Sequence, residues 1–299
     1  MGYPLVVCSY NMGRASSDYL NACKFADPTF QLTCREDDEK FNEQYLRVQE
    51  ATAKWLQNSA DIYCLQEVEY LDRPLIHSLR NWNYHLVYFE GSHTIDTVIA
   101  LNNSRFSKIE RKSFKYFIDA NNFKTVAAVT AWDKLSKQSI TIFSVHAPGY
   151  PIVPNAPHSE TFPGEQYCAR LSEKIKEFPA TLKIIAGDFN SNPELNPARF
   201  SPFRKYSLHR TNKPTNVNPK DKNQPERELD FFLTQSDSSN SFFSATKRHN
   251  IFFMPSPFSI NPEFNASDHV PLLLAITTEN KPSTLSKIPA FFQNLFKIG

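Results

Sequence analysis

In IIAGDFNSNP, residues 184–193, an apolar run stops on Gly187 and hands over to Asp188 and Asn190. The same change from apolar run to polar end recurs along the chain. CSYN brings Tyr10 and Asn11, CLQEV brings Glu67, and SVHAPGYP brings His146 ahead of two prolines that stop the strand. RELDFFL sets Asp230 inside a phenylalanine-rich run, and NASDHVPLLLAI puts Asp268 and His269 just before another. Taken singly, a Glu or His at a strand end is a solvated or capped residue, and Asp and Asn are turn formers. Taken together, at the carboxyl ends of strands where open α/β sheets build their sites, they share one chemistry, hydrolysis at phosphorus. The hard oxygens of Asn11, Glu67 and Asp268 suit Mg²⁺, with Mn²⁺ as a substitute, better than zinc, which prefers Cys and His. Such an ion polarises a phosphoryl oxygen and offsets charge in the transition state. Asp188 and a His–Asp pair are the types that activate and orient a water, while Asn190 and His146 would hold the non-bridging oxygens. Asp230 needs a partner, because an unpaired buried carboxylate is expensive. A histidine is the natural one.

These groups need strands and helices to position them. PLVVCSY, DIYCLQE, NYHLVYF, DTVIALN, KTVAAVTAW, SITIFSVH, LKIIAGD, LDFFLT and VPLLLAI are short runs of β-branched and aromatic residues. Most are continuously apolar, as expected of strands covered on both faces. Two helices are predicted. From Glu39 to Ser59, the residues Phe41, Tyr45, Val48, Thr52 and Trp55 form one stripe; from Gly164 to Phe178, Cys168, Leu171, Ile175 and Phe178 form another. Many strands and few helices predict an α/β protein with sheet packed on sheet and helices outside. No repeat or linker divides the chain. The expectation is one domain over residues 1–278, with 279–299 a tail able to form a short amphipathic helix.

The chain has 299 residues, 40% hydrophobic and 21% charged, the profile of an ordinary globular protein with a substantial core. A net charge of +2 exerts no strong pull on polyanions by itself. Among five cysteines there is no CxxC pair; Cys8 and Cys64 read as core residues, and Cys23 and Cys34 as reduced thiols. The opening MGYPLVVCSYN lacks a signal-peptide pattern, Val6 spoils a myristoylation motif, and no apolar run is long enough to span a bilayer. A cytoplasmic location is expected, or export by a route that needs no amino-terminal signal. Asn265-Ala266-Ser267 is a glycosylation sequon, and a glycan there would crowd Asp268.

In this order and at these intervals, SYN, LQEV, VHA, GDFN, ELDFFL and SDHVPL resemble the endonuclease/exonuclease/phosphatase superfamily, the DNase I-like proteins. The resemblance runs from about Pro4 to Ile276. It implies a four-layer α/β sandwich, two packed mixed β-sheets flanked by helices, and a divalent-metal phosphohydrolase. Asn11 and Glu67 match metal-binding positions, His146 the phosphate-contacting or acid histidine, and Asp188 and Asn190 the pair that orients water and binds phosphate. Asp230 matches the carboxylate that orients the last histidine, here His269, with Asp268 its metal-linked neighbour. A polar insertion, Gly13 to Asp38, is shared with the larger deadenylase-like and sphingomyelinase-like branches, and the motif set of inositol polyphosphate 5-phosphatases is missing.

Fold does not fix the substrate. Ser201 to Arg227 holds seven basic residues against two acidic, a local +5, and Lys220, Lys222 and Arg227 are the expected contacts to a phosphate backbone. The expected partner is therefore nucleic acid, and the expected activity that of a nuclease on DNA or RNA. The alternative is a phospholipid, phosphoinositide or sphingomyelin at a membrane. The paired phenylalanines of residues 241–258 read first as core strands and otherwise as a surface for stacked bases or a membrane interface, and the tail face of Ile288, Phe292, Leu295 and Phe296 as packing on the domain or as membrane or partner contact. A catalytically silent binding module is the second alternative. No organic cofactor is expected, and the chain is expected to be a monomer.

Overall fold

The computed structural model describes residues 4–13, 39–92, 94–117, 123–149, 163–212, 214–217, 226–236, 250–253 and 267–276. In chain order these are β1 (Leu5–Asn11), α1 (Glu39–Leu56), β2 (Ile62–Glu69), α2 (Pro74–Asn81), β3 (Tyr84–Tyr88), β4 (Ile95–Asn102), β5 (Phe106–Arg111), β6 (Phe114–Phe117), β7 (Phe123–Asp133) and β8 (Gln138–His146). Then come α3 (Pro163–Lys176), β9 (Leu182–Asp188), the single turn α4 (Pro197–Phe200), β10 (Ser207–His209), β11 (Asn216–Val217), β12 (Glu226–Arg227), β13 (Asp230–Ser236), β14 (Asn250–Phe253) and β15 (Leu272–Ile276). The insertion after Gly13, Cys23, Cys34, residues 237–249, Asn265 of the sequon and the tail lie outside the described residues. Among the described residues no helix is long and apolar enough to cross a membrane.

Two mixed sheets face each other. One runs β14-β15-β1-β2-β4-β3, the other β10-β13-β9-β8-β7-β5, with β6 also paired to β7. Each has one parallel pair at its heart, β1 with β2 and β8 with β9, bridged by α1 and α3 respectively. A parallel pair needs such a crossover, and it brings two strand ends to the same edge of each sheet. The middle layer interleaves Val7, Ile62, Ile99, Val129, Ile142, Ile184 and Leu274. The outer layers pack α1 and α2 on one sheet through Ala53, Leu56, Leu75 and Leu79, and α3 on the other through Cys168, Leu171 and Ile175. That is the four-layer α/β sandwich expected.

The α1 stripe differs slightly from its sequence pattern. Val48 and Thr52 are buried as expected, but Leu56 and Ala53 complete the face and Trp55 stands at its flank. Cys8, Cys64 and Cys168 are buried free thiols, and burial pushes the pKa of each up, so they serve as packing residues.

Gly187 explains its own position. Its φ is +152°, and a Cβ there would lie 2.0 Å from the Val145 backbone oxygen across the β8–β9 pair. No rotamer relieves a clash with backbone. Gly187→Ala is expected to destabilise the protein by about 3 kcal/mol or more. A urea midpoint within error of wild type would remove this reading of the seam.

Candidate active site

The carboxyl ends of β1, β2, β8 and β9 and the amino ends of β4, β7 and β13 meet at one edge of the sandwich. Asp188 is central. It pairs in register with His146 on one side and Asp230 on the other. Its Oδ2 accepts from Asn11 Nδ2 at 3.1 Å and from Asn190 Nδ2 at 3.1 Å, and its Oδ1 accepts from the Asn190 backbone N–H at 2.6 Å. Asn190 can curl back this way because it sits at φ 49°, a conformation asparagine tolerates. Its second amide hydrogen goes to the Ala147 carbonyl at 3.0 Å. Both of its side-chain donors are thus committed. In this arrangement Asn190 positions Asp188 and the chain after His146.

His269 stands beside this group. Its Nδ1 lies 2.8 Å from Asp230 Oδ2, which also accepts from Thr215 Oγ1 at 2.7 Å. Its Nε2 points to Asp188 Oδ2 at 3.8 Å and Asp268 Oδ1 at 3.9 Å. Burial alone would lower the pKa of His269, but Asp230, Asp188 and Asp268 together raise it well above the ordinary value. Burial raises Asp230, and His269 pulls it back. The pair is therefore best described as an imidazolium held against a carboxylate, with Nε2 left to face the cleft. Asp188, Asp230 and His269 carry ligand-type atoms all within 4.8 Å of one another, yet Asp230 Oδ2 and His269 Nδ1 already satisfy each other.

The second group is built around His146. Its Nε2 lies 3.1 Å from Glu67 Oε1, and its Nδ1 lies 2.7 Å from Asp96 Oδ1 and 2.9 Å from Lys124 Nζ. Burial and Lys124 press its pKa down, but Asp96 and Glu67 overcome both and raise it to about 9. Glu67 reaches it from a β-bulge, since the β2–β4 register shifts between Gln66 and Glu69, and Glu67 itself has φ 52°. A non-glycine residue held there marks a position the surroundings over-determine. Arg73 supplies the restraint. From a buried position it donates to the carbonyls of Glu67 at 3.0 Å and Gly13 at 2.7 Å, lashing the β2 end to the β1 end.

The sequence-derived residues thus fall into two adjoining sets. Asn11, Asp188, Asn190, Asp230, His269 and Asp268 form one, and Glu67 and His146 the other, joined by the β8–β9 pairing and the Asn190–Ala147 bond. Lys220 and Lys222 lie outside the described residues, and Arg227 is placed only by its backbone pairing with Asn216. Arg210 is no free phosphate ligand, because it bridges Glu228 and Glu194. The local +5 therefore overstates the positive surface. Asp96, Lys124, Thr215 and Arg73 had been missed. Asp96 and Lys124 are each the second residue of a strand that reads as ordinary, and nothing local reveals what lies across the cleft.

The donor chemistry fits a hard divalent ion. Asn11 Oδ1 accepts only the Gly13 N–H at 3.0 Å among its described contacts, and the side chains of Glu67 and Asp268 keep 18% and 17% exposure. All-oxygen ligands of which the two carboxylates remain partly wet suit Mg²⁺, which retains several waters.

A family model described as "Endonuclease/Exonuclease/phosphatase family" matches residues 8–269. Among solved structures, an endonuclease/exonuclease/phosphatase from Bacteroides vulgatus is similar at 14% identity and TM-score 0.62, covering 92% of this chain and 99% of that one. D. rerio TDP2 complexed with single strand DNA product is similar at 14% identity and TM-score 0.58, with the same coverage of 92% and 99%. ANGEL2, a 2',3'-cyclic phosphatase, is similar at 15% identity and TM-score 0.60, covering 92% and 95%. At these identities the likeness speaks for the fold. No curated protein sequence matches the chain.

Proposed function

Because this chain belongs to the Endonuclease/Exonuclease/phosphatase family and is a phosphoesterase, we propose that it is a Mg²⁺-dependent phosphodiesterase acting on nucleic acid. The observation that carries the reading is Asp188 Oδ2 facing His269 Nε2 at 3.8 Å, with each group held from behind. A water within reach of both is oriented by the imidazolium and gives its proton to Asp188 as its oxygen attacks phosphorus. The P–O bond to the leaving group breaks, and the leaving oxygen takes a proton from His146 or solvent. Lys124 and His146, each paired with Asp96, would border one side of the phosphate, and Asn11, Glu67 and Asp268 would hold the ion. Bound there, Mg²⁺ supplies Lewis-acid stabilisation of the charge building on the phosphoryl oxygens.

Nucleic acid is favoured as substrate by the single strand DNA named with the similar TDP2 structure and the 2',3'-cyclic phosphate named for ANGEL2. Tyr70 and Phe123, both at strand ends bordering the site, are 54% and 40% exposed, and bases can stack on such rings. The same apolar rim also favours a second reading, a lipid phosphoester at a membrane interface.

Purified protein with Mg²⁺ is to be assayed on single- and double-stranded DNA, poly(A) RNA, phosphoinositides and sphingomyelin. Nucleic-acid cleavage abolished by EDTA is expected. Lipid turnover alone selects the second reading, and no turnover of any substrate leaves a silent binding module. Glu67→Gln is expected to raise the Mg²⁺ concentration for half-activation at least about tenfold. An unchanged Mg²⁺ curve would remove Glu67 from the metal site.

A further inference from the structure

A cavity of about 300 Å³ opens between β6 and α3, lined by Phe114, Lys115, Tyr116, Val126, Tyr167, Arg170, Leu171 and Lys174. Its Tyr167 backs onto the cleft, close to the His146 backbone and Asp96. Along β7, Val126 and Ala128 face the outer layer under α3, whereas Ala127 and Val129 face the layer between the sheets. The cavity therefore lies on the far side of β7 from the space between the sheets. Its lining carries three cations, three aromatic rings and no acid. The Arg170 guanidinium lies over the Tyr116 ring at 5.0 Å, and Tyr116 meets Tyr167 edge-to-face at 5.7 Å between centroids. Tyr167 is buried, and burial raises its phenol well above the ordinary value, so it adds no negative charge.

We infer that this cavity is a binding site for a planar heteroaromatic ring carrying a phosphate, of mononucleotide size. Volume, ring content and charge each point that way. A pocket of about 300 Å³ is at the small end of those that enclose organic ligands. A flat ring can stack on the Arg170–Tyr116 pair, extending an arrangement already built. Its phosphate then lies within the field of Arg170 and Lys174 on α3, whereas the Lys115 ammonium lies over the Phe123 ring at 5.7 Å. Lys174 also reaches Glu177 in an exposed ion pair, which a phosphate would replace at little loss. The ligand could be a free nucleotide or one unit of a longer strand, and the inference does not depend on hydrolysis in the cleft.

The test is calorimetric titration in EDTA, so that the metal site is silent, with AMP, adenosine, inorganic phosphate and a short oligoadenylate. AMP is expected to bind at one site, at least about tenfold tighter than adenosine or phosphate alone. Arg170→Glu should weaken it about tenfold or more, while thermal midpoint and hydrolysis stay unchanged, since Arg170 is exposed and outside the cleft. His269→Asn should leave AMP binding intact. Oligoadenylate matching or exceeding AMP identifies a strand subsite; AMP alone identifies a free-nucleotide site. Absence of saturable binding, indifference to Arg170→Glu, or loss of binding in His269→Asn would each overturn the assignment. So would phosphate binding as tightly as AMP, which would leave a mere anion patch.

Discussion

His269→Asn should lower turnover by about a thousandfold, within the range that one positioned acid–base group contributes. Asparagine keeps an amide donor for Asp230, whose Oδ2 would otherwise lose the 2.8 Å bond to Nδ1 and leave a buried carboxylate with Thr215 alone. Stability should therefore change little, whereas His269→Ala would confound loss of mechanism with loss of fold. What disappears in the asparagine variant is the nitrogen facing Asp188 at 3.8 Å, together with the positive charge that three carboxylates sustain on the ring. The loss should appear in kcat more than in KM, since the group acts on the reacting water. Turnover within about tenfold of wild type, at unchanged thermal midpoint, would show that His269 is a structural histidine and that the water is handled elsewhere.

Arg105→Met should cause the largest loss of stability. Arg105 is buried at the edge of the sandwich opposite the cleft. It forks onto Asp133, with Nε to Oδ1 and Nη2 to Oδ2 each at 3.0 Å, and sends Nη1 to Asp61 Oδ2 at 2.8 Å and to the Pro4 carbonyl at 2.7 Å. One side chain thereby ties the start of β1, the start of β2 and the end of β7. Its two partners respond differently. Burial would raise Asp133, but the guanidinium fork and Ser136 hold it below the usual carboxylate range; burial wins at Asp61, which is raised despite Arg105. Removing the cation strands both carboxylates, at a cost of about 3–5 kcal/mol. In a chain of this length the melting temperature should fall on the order of 10 °C. Adding Asp61→Asn and Asp133→Asn should restore part of the loss, and kcat of the folded fraction should not move. A Tm within a degree or two of wild type would show that the network is ornamental.

The polar ends of apolar runs were legible because a buried strand has one reason to finish on Asp or Glu and another to finish on a turn. Several such ends in order favour the first reason. GDFN and SDH stood out that way, and Asp230 stood out because a carboxylate within a phenylalanine-rich strand demands a partner. Asp96 and Lys124 were silent, since each is the second residue of a strand, where a charged residue is ordinary, and their meaning lies in what faces them across the cleft. Arg73 and Arg105 were hidden for a similar reason: a buried arginine in a loop looks like a solvated one until its carbonyl and carboxylate partners are known. The edge strands β5 and β6 were not read, because FSKIER and FKYF alternate polar and apolar residues on partly exposed ladders. The basic stretch before Asp230 misled in part, since composition counts Arg210 as available when Glu194 and Glu228 already hold it.

The direct abutment of β8 and β9 at Gly187 makes the two strands behave as a vernier. Adding or deleting one residue anywhere from Ile140 to His146 would rotate the imidazole out beneath α3 and slide the remaining steps past Asp188. Natural variants of this chain should therefore accept length changes in their surface loops while the count of residues along these two strands stays frozen.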